Sequence, residues 1–153
     1  MTQATIRARL KVTLDTVTNV GRTHDYLRWS IDESAFIDLF GTTIGTDDQF
    51  RGWMITWRGF EQEEPYTGRD SDQYRTHTFQ LDGYLGLKDS TATEKTFAAL
   101  AELVCNTLDA DGTLNSSAFA HTREPTQCIV DERVFYGKLC HHAEIMLQVV
   151  ETI

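Results

Sequence analysis

Residues 138–153 read KLCHHAEIMLQVVETI, and the period of that stretch decides the fold. Successive side chains of a strand point to opposite sides. On that spacing Leu139, His141, Ala143, Ile145, Leu147 and Val149 share one face, while Cys140, His142, Glu144, Met146 and Gln148 share the other. The first face is the more apolar and is expected to line the core. The same spacing divides the metal-loving trio. Cys140 and His142 project together and His141 points through the sheet, so the three cannot bind one ion. Zinc would need two more ligands, such as Cys128 from the neighbouring strand and the carboxylate of Glu144. No C-x-x-C or H-E-x-x-H spacing supplies them. The expectation is a strand without a metal.

Upstream, "TQCIVDERVF" pairs naturally with this strand through a turn near Tyr136-Gly137-Lys138, giving C-terminal strands over about 126–151. A second alternating region lies at 50–87. Trp53, Ile55 and Trp57 share a face against Met54, Thr56 and Arg58, and His77, Phe79, Leu81 and Leu85 alternate in the returning arm. The pair predicts a long hairpin, with Gly83 and Gly86 marking a bulge or bend near the end of its second arm. Two longer segments have a helical period. Ile6, Leu10, Leu14 and Val17 form one stripe of a helix over about 2–19, closed by Val20-Gly21. Phe97, Leu100, Ala101, Val104 and Leu108 form the stripe of a helix over about 92–109, with Thr91 and Glu94 as its capping box and Gly112 beyond its end. A short helix to Phe40 follows from Ser30 and Glu33 at capping-box spacing, after a loop or extended piece, GRTHDYLRW. Together these predict one α+β domain over 1–153. It has a mainly antiparallel sheet of about four strands and two principal helices packed on one face.

The totals limit function. The 153 residues carry 23 acids against 14 bases, a formal charge of −9, which disfavours sequence-specific binding to a phosphate backbone. An acidic surface can still face DNA that must slide past without sticking. Cys105, Cys128 and Cys140 are an odd number behind a polar, basic N-terminus, which suggests reduced thiols in a cytosolic compartment. No apolar run approaches the roughly 18 residues of a membrane helix.

Catalytic signatures are missing. GTTIGT and LNSSAF lack the G-x-S-x-G turn, and neither a phosphate-binding loop nor a dinucleotide fingerprint occurs. His24-Asp25 forms no recognisable dyad, and no cofactor is expected. The acidic segment Glu61, Glu63, Glu64, Asp70 and Asp72 lacks EF-hand spacing and reads as a solvated hairpin tip.

The order of elements, with HDYLRW, WMITWRGF, RTHTFQLDGYLGLKDS running into EKTFAALAELVCNTL, and finally ERVFYGKLCHHAEIMLQVVE, resembles the tail terminator and tail completion proteins of long-tailed bacteriophages across nearly the whole chain. The resemblance implies a non-enzymatic virion protein, made in the host cytoplasm and placed in the neck of the tail. It would form a hexameric ring at the head-proximal end of the tail tube. There it would stop tube growth, join the tube protein to the head–tail connector, and let genome DNA pass through its lumen without specific binding. A different neck or connector adaptor is the alternative, and a small metal-binding enzyme a weaker one. A closed ring requires heterologous contacts. Candidates are a sheet edge, the N-terminal helix, and the hairpin tip with Glu63, Glu64, Tyr66, Arg69, Asp70 and Asp72.

Overall fold

The computed structural model describes residues 2–28, 32–63, 73–114, 120–122 and 126–153, with 120–122 as backbone alone. Helix α1 spans Gln3–Asp15, with the Thr2 hydroxyl capping the Thr5 amide. It stops a turn earlier than the stripe suggests. Three-residue turns take over at Thr16, Val17 and Val20, and Asn19 adopts a left-handed φ of 59°. Val17 and Val20 are nevertheless buried, because the turn carries them onto the same core.

Strand β1 (Arg22–His24) is short and runs parallel to the middle of β3 (Asp47–Gln62). Helix α2 (Glu33–Phe40) lies between them in sequence and leads directly into β2 (Gly41–Ile44), which folds onto the start of β3. The expected cap, Ser30, lies outside the described residues; Asp32 caps the helix, accepting from the Ala35 amide at 2.8 Å. Next come β4 (Tyr74–Gly86), a one-turn 3-10 segment (Asp89–Thr91) and helix α3 (Thr93–Ala110). The chain closes with β5 (Ala120–Thr122), β6 (Gln127–Phe135) and β7 (Lys138–Thr152).

The α+β class holds, and the finer expectation is corrected. Four long strands run β3-β4-β7-β6, while β1 and β2 share the outer edge of β3 and β5 continues the outer edge of β7. The parallel β1–β3 pair makes the sheet mixed.

Both faces are packed, which is the larger difference. On one face α1 and α3 bury Ile6, Leu10, Leu14, Phe97 and Val104 against Trp53, Ile55, Phe79, Leu81, Ile145 and Leu147. Each such side chain contributes about 1.5–3 kcal/mol on burial. On the other face α2 brings Phe36 and Phe40 onto Met54, Tyr84 and Cys140, with Phe50, Phe135 and Tyr136 at the margin. Phe36 stacks on Phe50 and Tyr84 on Phe135, each at 4.2 Å.

Gly83 and Gly86 do not mark a bulge, since β3–β4 pairing is continuous from Arg51↔Leu85 to Trp57↔Phe79. Gly83 is opposite Trp53, and a Cβ on it would lie 2.5 Å from the indole ring. The glycine makes room for the largest core side chain. The bulge is in the other arm, between Trp57 and Gly59, where Gly59 has φ of 127°. One extra residue reverses the parity of the strand. Trp57 faces the α1/α3 core before it; Phe60, opposite His77, faces the same side after it.

Candidate assembly surface

The hairpin tip begins where the expected contact residues begin. Glu63 is exposed at the end of β3, and its amide donates to the Tyr74 carbonyl at 3.0 Å. Glu64, Tyr66, Arg69, Asp70 and Asp72 lie outside the described residues. At the base of the tip Phe60 and Tyr74 are exposed, and the Arg75 guanidinium sits 4.5 Å from the Phe60 ring centre. Beneath them Trp57 Nε1 donates to His77 Nδ1 at 3.3 Å. That fixes the proton of the imidazole on Nε2, which donates to Glu151 Oε2 at 2.9 Å. The chain from β3 through β4 to β7 braces the hairpin base from within.

A sheet edge is among the contacts expected from the sequence, which does not say which strand forms it; β6 is such an edge. Strand β6 pairs with β7 on one side only, and no strand among the described residues covers its outer edge. Its side chains are exposed on both faces: Ile129 at 64% and Val134 at 70%, with Val130 and the adjoining Leu139 half exposed. Register assigns Val130 and Val134 to the α1/α3 side and Ile129 to the α2 side. Asp131, Glu132 and Arg133 interrupt the apolar run at its centre. Proteins ordinarily protect such an edge, because its unpaired amides and carbonyls accept another strand. The signal was present in "CIVDERV", which alternates poorly because apolar residues fall on both parities.

The metal-loving residues of β7 are separated. Cys140 is buried in the aromatic cluster, where burial pushes its thiol up to about 11. His142 is fully buried, with Nδ1 2.7 Å from Asp131 Oδ1 and Nε2 2.9 Å from Asp82 Oδ1. Both contacts are hydrogen bonds when the ring carries two protons. For Asp131, burial works against ionisation, but hydrogen bonds from His142 and Arg133 hold its carboxyl below the ordinary value. Gln80 ties the network together, donating to Asp82 and Glu144 and accepting from Arg58 at 2.8 Å.

Cys128 cannot join Cys140 and His142. It pairs with Ile145 and so lies on the α1/α3 face, against Cys105. His141 is also on that face, bonded to the Thr93 hydroxyl at 2.9 Å and stacked on Phe97. Among the described residues no group of three His, Cys, Asp or Glu side chains is arranged to hold a metal ion. His24, half-buried, bonds the Leu39 carbonyl at 2.8 Å and makes no dyad with Asp25. No helix among the described residues is long and apolar enough to cross a membrane.

No family model and no curated protein matches the chain. A solved structure whose name states no function aligns with 100% of this chain and 96% of its own, at 15% identity and a TM-score of 0.47. That likeness is too distant to carry an argument.

Proposed function

We propose that this chain is a structural subunit of a phage virion with a tail-terminator-like fold. It would assemble into a hexameric ring at the head-proximal end of the tail tube. The resemblance in layout supports the family, and the exposed apolar edge strand β6 carries the assembly reading. Its partner is a second copy of the chain. The opposite end of the sheet offers a different surface, the outer edge of β3 beyond Met54, which no strand covers among the described residues. Two unlike edges on one subunit are what a heterologous, ring-closing contact needs. Ile129, Val130 and Val134 supply burial, and the charged triplet between them fixes register.

In the neck, one face of the ring would meet the tube protein and the other the connector, with DNA crossing an acidic lumen. Tube growth stops when the connector-facing side lacks the tube subunit's docking surface. No bond is broken in this function.

Native mass spectrometry over a concentration series, on the wild type and on Val134→Asp, tests the proposal. A hexamer in the wild type, shifted by Val134→Asp to a folded monomer with an unchanged far-ultraviolet circular dichroism spectrum, is expected. A wild-type monomer at every concentration, or a hexamer indifferent to charges on β6, would reject the β6 ring.

A further inference from the structure

Helix α3 and strand β6 bring two thiols together on the α1/α3 side of the sheet. Cys105 packs against that core from the helix. Cys128 pairs with Ile145, a residue of the same core, and directly opposed side chains of an antiparallel pair share a face. A separate contact fixes the alignment. The Thr126 amide donates to Asp109 Oδ1 at 3.2 Å, and its hydroxyl donates to Oδ2 at 3.4 Å. Asp109 is four residues beyond Cys105, one turn along the same side of the helix. Thr126 is two residues before Cys128, on the same side by alternation. The α3 and β6 backbones approach with Cα atoms within 8 Å. That is close to the roughly 4–7 Å that a disulfide spans.

Cys128 is exposed, so a small reagent reaches it, and Cys105 is half-buried. Partial burial first, and then the Cys105 thiol through its charge and a side-chain hydrogen bond, push the Cys128 thiol up to about 11. None of these causes is a cation, so Cys128 is not an activated nucleophile of the catalytic kind. What distinguishes it is the second sulfur beside it. Cys140 has no share in the pair, because it is buried in the aromatic cluster on the other side of the sheet.

We propose that Cys105 and Cys128 are an oxidisable dithiol, which a low-molecular-weight disulfide of the glutathione class converts to an intramolecular disulfide between α3 and β6. The Cys128 thiolate attacks one sulfur of the small disulfide, forming a mixed disulfide and expelling one small thiolate. The Cys105 thiolate then attacks the Cys128 sulfur and expels the other. Two protein thiols are oxidised to one disulfide, the small disulfide is reduced to two thiols, and the two protein protons end on those thiols. The new bond ties β6, whose only strand neighbour among the described residues is β7, to the helical layer. The site lies within one copy of the chain and does not depend on the ring.

The test is incubation of the folded full chain with millimolar oxidised glutathione at mildly alkaline pH, without denaturant and under nitrogen. Acid quenching, alkylation of the remaining thiols in denaturant, and mass spectrometry of the intact chain and its peptides follow. The expected product has lost two hydrogens, carries one alkyl group, on Cys140, and yields a linked Cys105–Cys128 peptide pair. Dithiothreitol should return all three thiols to the alkylatable state. Cys140→Ser should oxidise as the wild type does, and in Cys105→Ser the glutathione adduct on Cys128 should persist. A wild-type chain that keeps three free thiols, that stops at the mixed disulfide on Cys128, or that links Cys128 to Cys128 of a second copy would overturn the proposal. So would a Cys105–Cys128 link that forms only in denaturant. These decisive readouts come from the wild-type chain, so a variant that fails to fold does not obscure them.

Discussion

Trp53 and Gly83 face each other across the β3–β4 pair, and the close approach of indole to glycine sets a strict size limit. Gly83→Ala must displace the Trp53 ring, at a cost of about 1–3 kcal/mol by the usual penalty for overpacking. Gly112→Ala, where a Cβ meets nothing within 4 Å, is expected to be near neutral in the same thermal-unfolding comparison. Tyr84 supplies a pH signature. Burial first, and then the charge of Asp82, push its phenol up to about 12. Because the folded value is above the ordinary value of about 10, this group's stabilisation is complete below that pH and is lost as pH rises toward 12. An ultraviolet titration should show one late tyrosine that disappears in Tyr84→Phe. Asp131 has the opposite sign. Its carboxyl is held low, so the contribution exists above the ordinary carboxylate range and is lost as pH falls through the folded value. Asp131→Asn should flatten the acid limb of the stability curve, by an amount limited by the exposure of the carboxylate.

At the scale of elements, the sequence was readable where one period ran without interruption. The stripes of α1 and α3 and the alternation of β3, β4 and β7 place the α1/α3 core correctly. The second core was less legible because its residues are spread thinly. Phe50, Met54, Tyr84, Phe135 and Cys140 come from four strands, and only α2 shows that they belong together. The bulge after Trp57 left no signal beyond Gly59, since a strand pattern cannot reveal an extra residue before its partner is known. The candidate contact surface was partly legible: an acidic loop identifies a hairpin tip, but exposure of β6 depends on the missing neighbour along its edge. The cap of α3 was misread. Thr91 and Glu94 have capping-box spacing, yet the 3-10 turn over Asp89–Thr91 makes Ala92 the N-cap and directs the Thr91 hydroxyl to the Lys88 carbonyl. A left-handed alanine is costly, so Ala92→Gly should raise stability by about 0.5–1 kcal/mol, whereas a true capping box would make Thr91→Ala the consequential change. Chemical denaturation of the two variants separates these cases.

On the scale of the whole molecule, two opposing terms would govern the proposed assembly, and salt distinguishes them. The chain carries a formal charge of −9, so the six copies of the proposed ring would repel one another. The proposed contact through Ile129, Val130 and Val134 gains from apolar burial, which salt does not screen. Repulsion between exposed charges is screened, with a Debye length of about 10 Å at 0.1 M that shortens to about 3 Å at 1 M. Ring formation through β6 should therefore strengthen as sodium chloride rises, with the dissociation midpoint moving to lower protein concentration. Sedimentation velocity at several ionic strengths measures that midpoint directly. The opposite slope would mean that ion pairs dominate the contact, shifting the interface from the apolar ends of β6 to its Asp131-Glu132-Arg133 centre or to the acidic hairpin tip. Val134→Asp separates those two, because a charge placed on the apolar end leaves a contact at the hairpin tip intact.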